Sequence, residues 1–507
     1  MRKIIFAALL IFGLSPFLQG AAYTTTKAGN WNDSTVWSPA GVPTNGDTVS
    51  INHAITVNVD VTVGTSPQAK DVTPAVSING TSTALTVSAG KILRCRGDLK
   101  INPGSNKYCY LVLEAGSSLV FDPSQAVTPS TAAYQLIFKE FGWFSSFGTS
   151  GTRCTVMTDK TGGGASAYMV IGMNYRDQGV NYASYTDFND LGGTSTTNSG
   201  YGVAWQSWAT ASSTGMTIIN CNFSGSNCVL DLKTTTNGNV YFGGNYFTNS
   251  VLIQFIGYQA CFYGGFNTAK TGGSRKITGN GFDNMAKFWY AANTEITDNY
   301  MGGSYYTRAN TYDLFTNNFI WQDNAHNSSP VNRDMSNCYV ANNCTGNPHY
   351  LGCDPSGTTI VLSGFVVEYM GTDPTGDVFM ASLSASPGTY IIRNSIKLPN
   401  ANGTSSGAFF SALGNANNSI IAEHNTMHLG GNMDSSGARV GETYDGFTGM
   451  VKSYKSNLVW DTTPRGFKLC SAKLVTVPDV VRAADCDYNG GYNFAAGSNG
   501  NGYDKIL

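Results

Sequence analysis

The chain has 507 residues, with 30 Lys plus Arg against 32 Asp plus Glu, and a formal net charge of −2. Only 12% of residues are charged, about half the usual share, and no basic run occurs, which argues against nucleic acid as the main partner. Gly, Asn, Ser and Thr are abundant and no stretch beyond the first two dozen residues holds a helical period, so the elements expected are strands and tight turns.

In chain order, Met1–Ala22 reads as a secretory signal. Arg2 and Lys3 form the basic start, Ile4–Leu14 the apolar core and Gly20-Ala21-Ala22 the small-residue cleavage site. That core is too short to span a bilayer, and no later run is long and apolar enough, so the expected product is secreted or held at the cell surface without a transmembrane segment. Residues 23–130 are expected to hold an N-terminal cap and the first repeats. The segment GNWNDSTVWSPAGVPTNGDTVSINHAITVNVD opens it, and Trp31, Trp37, Gly41, Pro43, Gly46, Asp47, Val49, Ile51, Val57 and Asp60 resemble the opening of the eight-glycine domain. The resemblance implies a β-solenoid entry in a secreted, often glycan-related context. Trp31 and Trp37 are suited to covering the open end that every solenoid must cap.

ALTVSAGKILRCRGDLKINPGS and YLVLEAGSSLVFD then alternate apolar and polar residues around Gly corners. Alternation points Leu85, Val87, Ile92, Leu99, Ile101, Leu111, Leu113, Leu119 and Phe121 inward. Residues 131–507 are expected to continue as further repeats. From Met216 a phrase recurs: apolar, two variable residues, Asn, one variable residue, apolar. It reads ITGNGF at Ile277–Phe282, ITDNYM at Ile296–Met301 and FTNNFI at Phe315–Ile320, with looser copies placing Asn222, Asn245, Asn343, Asn394, Asn425 and Asn457. The tightest step is 19 residues, Asn280 to Asn299 to Asn318. A period near ~20 with β-type residues and Asn at a turn reads as a stacked solenoid. Asn suits the left-handed turn conformation, and stacked Asn side chains can hydrogen-bond from one repeat to the next.

This half of the chain resembles the right-handed parallel β-helix superfamily that includes pectin and pectate lyases. The fold expected is therefore all-β, one right-handed parallel β-helix (β-solenoid) continuous to residue 507. Loop excursions near Gln322, Gly346, Pro399, Gly430 and Asp461 should emerge on one side. The chain ends at GNGYDKIL, which leaves two readings: a truncated product, or last repeats that cap themselves.

Register within the tight repeats singles out charged residues. Four positions before the Asn stand Lys276 and Glu295; five before stand Arg275 and Asp313, with Thr294 between. They read either as a solvated charge ladder, worth little, or as acid/base and charge-neutralising groups for sugar chemistry. His326, flanked by Asp323, Arg333 and Asp334, is a candidate base on an excursion, although a loop histidine is commonly a plain surface residue. Glu295, Lys276, Asp313 and His326 are the catalytic candidates; Arg275, Arg333, Trp321, Tyr305 and Tyr306 are the substrate-binding ones. His424, just before Asn425, suits a turn role. The family's Asp-Asp, Gly-His-Gly, Asn-Thr-Asp and Trp-x-x-Asp-His motifs are absent, which puts polygalacturonase and pectate-lyase activity in doubt.

Eleven cysteines allow Cys95/Cys109, Cys221/Cys228, Cys338/Cys344 and Cys470/Cys486 as disulfides or as small apolar core residues. None has metal-site spacing, no cofactor is implied, and a calcium requirement stays open. The expected function is a secreted, monomeric protein that binds a polysaccharide or cell-surface glycan, and the sequence leaves open whether it also cleaves it as a lyase or hydrolase. The alternative is a non-catalytic surface adhesin or structural scaffold.

Overall fold

The computed structural model describes residues 20–64, 74–101, 108–122, 135–138, 142–161, 168–171, 181–191 and 203–207. It further describes 216–225, 230–234, 240–248, 254–255, 258–259, 262–266, 275–283, 286–289, 294–301, 305–308 and 314–322. Beyond these come 335–336, 339–342, 351–353, 359–364, 366–369, 378–383, 388–397, 407–412, 418–429, 438–439, 450–456, 458–465, 467–468, 490–494 and 505–506. The chain divides into two compact units, Met1–Ala204 and Trp205–Leu507, each taken by itself below.

The first unit is all-β and almost wholly parallel. Its first sheet pairs Ala22–Thr25, Thr48–Ile51, Val76–Ile78, Leu99–Ile101, Gln135–Phe138 and Tyr168–Ile171 in that order. The second pairs Gly29–Asn30, Ile55–Val57, Thr83–Val87, Cys109–Leu113, Gly142–Phe147 and Asn181–Ser184. The third pairs Val61–Val63, Ile92–Cys95, Ser118–Phe121, Cys154–Thr158 and Thr186–Asn189. The chain thus visits the three sheets in turn, and each strand lies beside its counterpart from the previous repeat. Such long parallel sheets are compatible with a β-solenoid.

Alternation decides the core. Leu85, Val87, Leu99, Ile101, Leu111, Leu113, Leu119 and Phe121 are fully buried, each stacked on an equivalent residue of its neighbours. Ile92 departs from the expectation: it is only half-buried and lies opposite Ser118, while Leu93, opposite Leu119, is fully buried. At the corner before it, Gly90 has φ 68° and Lys91 N–H donates to Ser88 O at 2.9 Å. A straight alternating count from Leu85 and Val87 arrives at Leu93 and Cys95, so the alternation is kept through this turn and Ile92 falls on the outward phase.

Cys95, Cys109 and Cys154 are buried thiols without disulfides, so Cys95 and Cys109 are not a pair. They fill core positions as small apolar groups, and desolvation pushes the Cys95 thiol up to about 12. Cys228, Cys338, Cys344, Cys470 and Cys486 lie outside the described residues.

Trp31 and Trp37 are buried with ring centroids 4.9 Å apart. Trp31 Nε1 donates to Pro43 O at 3.3 Å and Trp37 Nε1 to Trp31 O at 2.9 Å. Asp47 ties the segment down, accepting from Ala21 N at 2.8 Å and Thr44 N at 2.7 Å. Trp37 also pairs antiparallel with Thr25, a local departure from the parallel stacking.

The exposed side of the third sheet carries ion pairs. Arg94 lies 2.7 Å from Asp159, Arg96 3.2 Å from Asp122 and Arg153 2.7 Å from Asp187. The Thr161 hydroxyl, with Arg94 second, holds the Asp159 carboxyl at about 2.

In the second unit the second sheet runs through Met216–Ile219, Val240–Gly243, Arg275–Thr278, Thr294–Thr297, Leu314–Thr316, Met335–Ser336, Thr359–Ser363, Gly388–Arg393, Asn418–Glu423 and Met450–Lys455. The third runs from Asn222–Ser224 through Tyr246–Phe247, Gly281–Phe282, Tyr300–Met301 and Phe319–Gln322 to Tyr339–Asn342 and onward. The first includes Leu230–Thr234, Phe262–Phe266, Ala286–Trp289 and Tyr305–Arg308.

Between the second and third sheets the Asn residues form a buried ladder. Asn245, Asn280, Asn299 and Asn318 are each at most 2% exposed. The Oδ1 of Asn280 accepts from the backbone N–H of Asn245 at 2.9 Å and from its Nδ2 at 3.0 Å. Asn299 does the same for Asn280 at 3.0 and 2.9 Å, and Asn318 for Asn299 at 3.1 and 3.0 Å. Each Nδ2 also donates backward: Asn280 to Phe242 O, Asn299 to Ile277 O and Asn318 to Ile296 O, at 2.9–3.1 Å. One amide therefore bridges the repeat before it and the repeat after it, satisfying polar groups that the corner would otherwise bury unpaired.

The left-handed turn conformation belongs to the residue before the Asn, not to the Asn. Gly244, Gly279, Asp298 and Asn317 have φ of 62°, 64°, 57° and 55°. Two of the looser phrases are consequently out of register. Cys221 rather than Asn222 fills the ladder position, its backbone N–H donating to Asn245 Oδ1 at 2.9 Å. Asn394 takes the turn with φ 51°, and Ser395 fills the slot, its N–H donating to Asn425 Oδ1 at 3.1 Å. Asn343 and Asn457 lie outside the described residues.

Asn299→Ala removes the acceptor for Asn280 N–H and Nδ2 and the donor to Ile277 O. Chemical denaturation should show a loss of about 3 kcal/mol or more, since each orphaned buried group costs about 1–3 kcal/mol. Asp298→Gly, at the exposed left-handed turn beside it, should change stability by less than about 1 kcal/mol. Asp159 has a folded-state pKa below its ordinary value of 3.8, so its stabilisation is full above about pH 4 and disappears as pH falls toward about 2. Asp159→Asn should flatten the pH dependence of Tm within that window and leave the slope near neutrality unchanged.

Candidate functional site

The exposed surface around the Asn corner of the second unit is built from side chains that alternate with its core. Ile277 and Ile296 are fully buried, so Lys276 and Glu295 before them face solvent. The two are register partners on neighbouring strands, and Lys276 Nζ lies 3.1 Å from Glu295 Oε2. Tyr241 precedes Lys276 at the same strand position and Leu314 follows Glu295. Two residues nearer the corner, Thr278, Thr297 and Thr316 form a hydroxyl row, with Thr297 Oγ1 donating to Thr278 Oγ1 at 2.9 Å. At the turn itself Asn317 Nδ2 donates to Asp298 Oδ1 at 3.1 Å.

One residue past the buried Asn stand Tyr246, Gly281, Tyr300 and Phe319, consecutive register partners in the third sheet. Tyr241, Tyr246 and Tyr300 are 42%, 44% and 46% exposed, high for rings of this size. Tyr300 and Phe319 stack with centroids 5.2 Å apart and planes 14° apart. The Tyr246 ring lies over Gly281: a Cβ there would come within 2.3 Å of Tyr246 Cδ2. Tyr241 leans over Gly243 in a similar way, 3.1 Å from where a Cβ would sit. Glycine at these positions lets a ring lie flat on the strand, with one face against backbone and the other toward solvent. Tyr246 OH donates to Asp283 Oδ1 at 3.0 Å, and that carboxylate raises the phenol pKa.

The structure brings Lys276 and Glu295 together as the register count expects. Arg275 starts the same strand, and its backbone occupies the position of buried Val240 rather than that of Lys276. Asp313, His326 and Arg333 lie outside the described residues, as do Asp323 and Asp334. Tyr305 and Tyr306 belong to the first sheet, paired with Ala286 and Lys287, whereas Trp321 belongs to the third, paired with Ala341. Those three aromatic candidates are therefore divided between two sheets. Asp461 lies within the strand Leu458–Arg465, whose pairing register shifts between Trp460 and Arg465. His424 takes the left-handed turn with φ 57°. The row Tyr246, Tyr300 and Phe319 went unread in the sequence, although an aromatic directly after each of Asn245, Asn299 and Asn318 was its signal.

Among the described residues no group of three His, Cys, Asp or Glu is placed to hold a metal ion. No helix among them is long and apolar enough to cross a membrane. Comparison with known families, with curated proteins and with solved structures finds no match in any of the three.

Lys276 and Glu295 are 48% and 39% exposed, so their mutual attraction is screened by water. Glu295→Gln should change unfolding stability by less than about 1 kcal/mol. A larger loss in a denaturant titration would mean that the pair is structural and would remove it as a functional candidate.

Proposed function

We propose that the chain is an exported right-handed parallel β-helix protein, of the type that includes pectin and pectate lyases. In this reading it binds an extracellular polysaccharide along the exposed Asn corner of its second unit. The observation that carries the reading is the register row Tyr246–Gly281–Tyr300–Phe319, in which the Tyr246 ring lies over Gly281 and the Tyr300 ring stacks on Phe319, at successive strand spacings of ~4.8 Å. A sugar ring presents apolar C–H faces and equatorial hydroxyls. Flat exposed aromatics accept the first, and the threonine row with Lys276, Glu295 and Asp283 offers partners for the second. Aromatic walls with a few placed polar groups are the usual make-up of a ligand surface. Strands stacked at one spacing repeat the same contact along the surface, which suits an extended polymer.

Cleavage is a second reading, and Lys276–Glu295 favours it: a carboxylate as proton acceptor and an ammonium to neutralise a uronate are what β-elimination requires. The pair also favours a non-catalytic adhesin or scaffold, because each charge is neutralised by the other. Affinity electrophoresis against neutral and acidic polysaccharides separates these outcomes when followed at 235 nm for unsaturated ends and by reducing-sugar assay. The expected result is retardation by at least one polysaccharide, weakened about tenfold by Tyr246→Ala combined with Tyr300→Ala, the equivalent of ~1.4 kcal/mol. Gly281→Ala, which forces the Tyr246 ring off its seat, should weaken it in the same direction. Retardation insensitive to all three changes would reject this surface. Growth at 235 nm abolished by Glu295→Gln would establish a lyase, and silence in every assay would leave the adhesin or scaffold reading.

A further inference from the structure

The second sheet of the first unit carries a separate exposed aromatic cluster. Tyr110 and Trp143 are register partners, and the solvent-facing side of that sheet continues through Ser145, Phe147 and Tyr182. Trp143 meets Tyr108 at 5.4 Å and Tyr110 at 5.2 Å, both edge-to-face. Phe147 stacks on Tyr182 at 5.3 Å with planes 25° apart, and Phe147 is 49% exposed. Five rings therefore cover adjacent strands of a sheet whose opposite face is already filled by Leu85, Leu111 and Phe144.

Charge tells what such a face can receive. Thr56, Ala84, Thr86, Tyr110, Val112, Trp143, Ser145, Phe147 and Tyr182 occupy its solvent-side positions, with no ionisable acid or base among them. Arg94–Asp159, Arg96–Asp122 and Arg153–Asp187 are formed on third-sheet strands or the residues beside them, and Lys100–Asp98 lies at a first-sheet strand. At the described strand positions of this face a nucleic acid or an acidic polymer would find no cation, and the exposed Glu114 that follows Leu113 would repel it. A purely apolar partner fits poorly too, because three tyrosines, two threonines and a serine keep polar groups at the surface. Rings and hydroxyls without formal charge match a neutral hexopyranose or pentopyranose chain, whose hydroxyls accept as well as donate.

We infer that Tyr108, Tyr110, Trp143, Phe147 and Tyr182 form a second, independent glycan-binding site, selective for neutral polysaccharide. It stands whether or not the second unit binds sugar, and it differs from that surface in having no cation at its described strand positions.

The test is calorimetric titration of the mature protein with cellohexaose, xylohexaose and mannohexaose, with polygalacturonate oligomers as the acidic control. Binding of at least one neutral oligosaccharide is expected, weakened about tenfold by Trp143→Ala or Tyr110→Ala and unchanged by Tyr246→Ala with Tyr300→Ala. Phe147→Ser, at the most exposed ring, serves as a variant that spares the packed Trp143 and should also weaken binding. The inference is overturned if no neutral oligosaccharide binds, or if Phe147→Ser and Trp143→Ala, both folded by circular dichroism, bind as the parent does. It is likewise overturned if sedimentation shows self-association that Phe147→Ser abolishes, for the face would then be an interface between copies of the chain.

Discussion

Parallel strands satisfy their backbone groups only through the strand before and the strand after, at a spacing of about 4.8 Å. Every residue in such a stack inherits the position of its counterpart one repeat away, and the same chemistry must succeed there again. Apolar positions meet the condition easily, as Leu85, Leu111 and Phe144 do. Corners are harder, because the chain bends there and backbone N–H and C=O groups point into a space that water cannot reach. In the second unit the asparagine ladder meets this condition. Its amide supplies both the acceptor and the donor that the bend leaves wanting, and it takes the shape of one more backbone link.

With the corner closed by a buried amide, the flanking positions become free to vary. The turn residue before it ranges over Gly, Asp, Asn and His, all in the left-handed conformation. The residue after it points to solvent and ranges from Gly to Tyr. That freedom brings Tyr246, Tyr300 and Phe319 to one register, while the exposed Tyr241 stands on the second sheet. The first unit bends differently, with glycine corners at Gly90 and Gly116, and there the exposed aromatics gather in mid-strand on the second sheet. The same stacking rule thus yields two surfaces of different character, one bordered by charges of both signs and one with no cation at its described strand positions.

How far the sequence could be read follows from the same physics. The run Asn280, Asn299, Asn318 was legible because its spacing is constant and its side chain is demanded by hydrogen bonding. Lys276 beside Glu295 followed by counting from it. Cys221 and Ser395 were hidden because a slot at the end of a ladder run needs only its backbone N–H, so a small residue suffices, while a nearby Asn mimics the phrase one position away. Ile92 misled because it stands beside Leu93 and both are apolar, so composition does not say which of the two keeps the inward phase of Leu85 and Val87. The aromatic row escaped because Tyr after Asn looks like ordinary strand composition until register shows that Gly281 leaves room for a ring. Arg275 drew attention by its charge, and only strand pairing reveals that it shares a position with buried Val240.

The ladder also has a sense of direction. Every asparagine from 245 to 299 gives its amide hydrogens to the next residue's oxygen and to a carbonyl behind, never the reverse. A unit that is a donor on one side and an acceptor on the other can be copied in tandem without creating a mismatch at either seam. The 19-residue steps are therefore interchangeable modules, and gene duplication could lengthen the aromatic strip by one ring at a time while the rest of the molecule stays as it is.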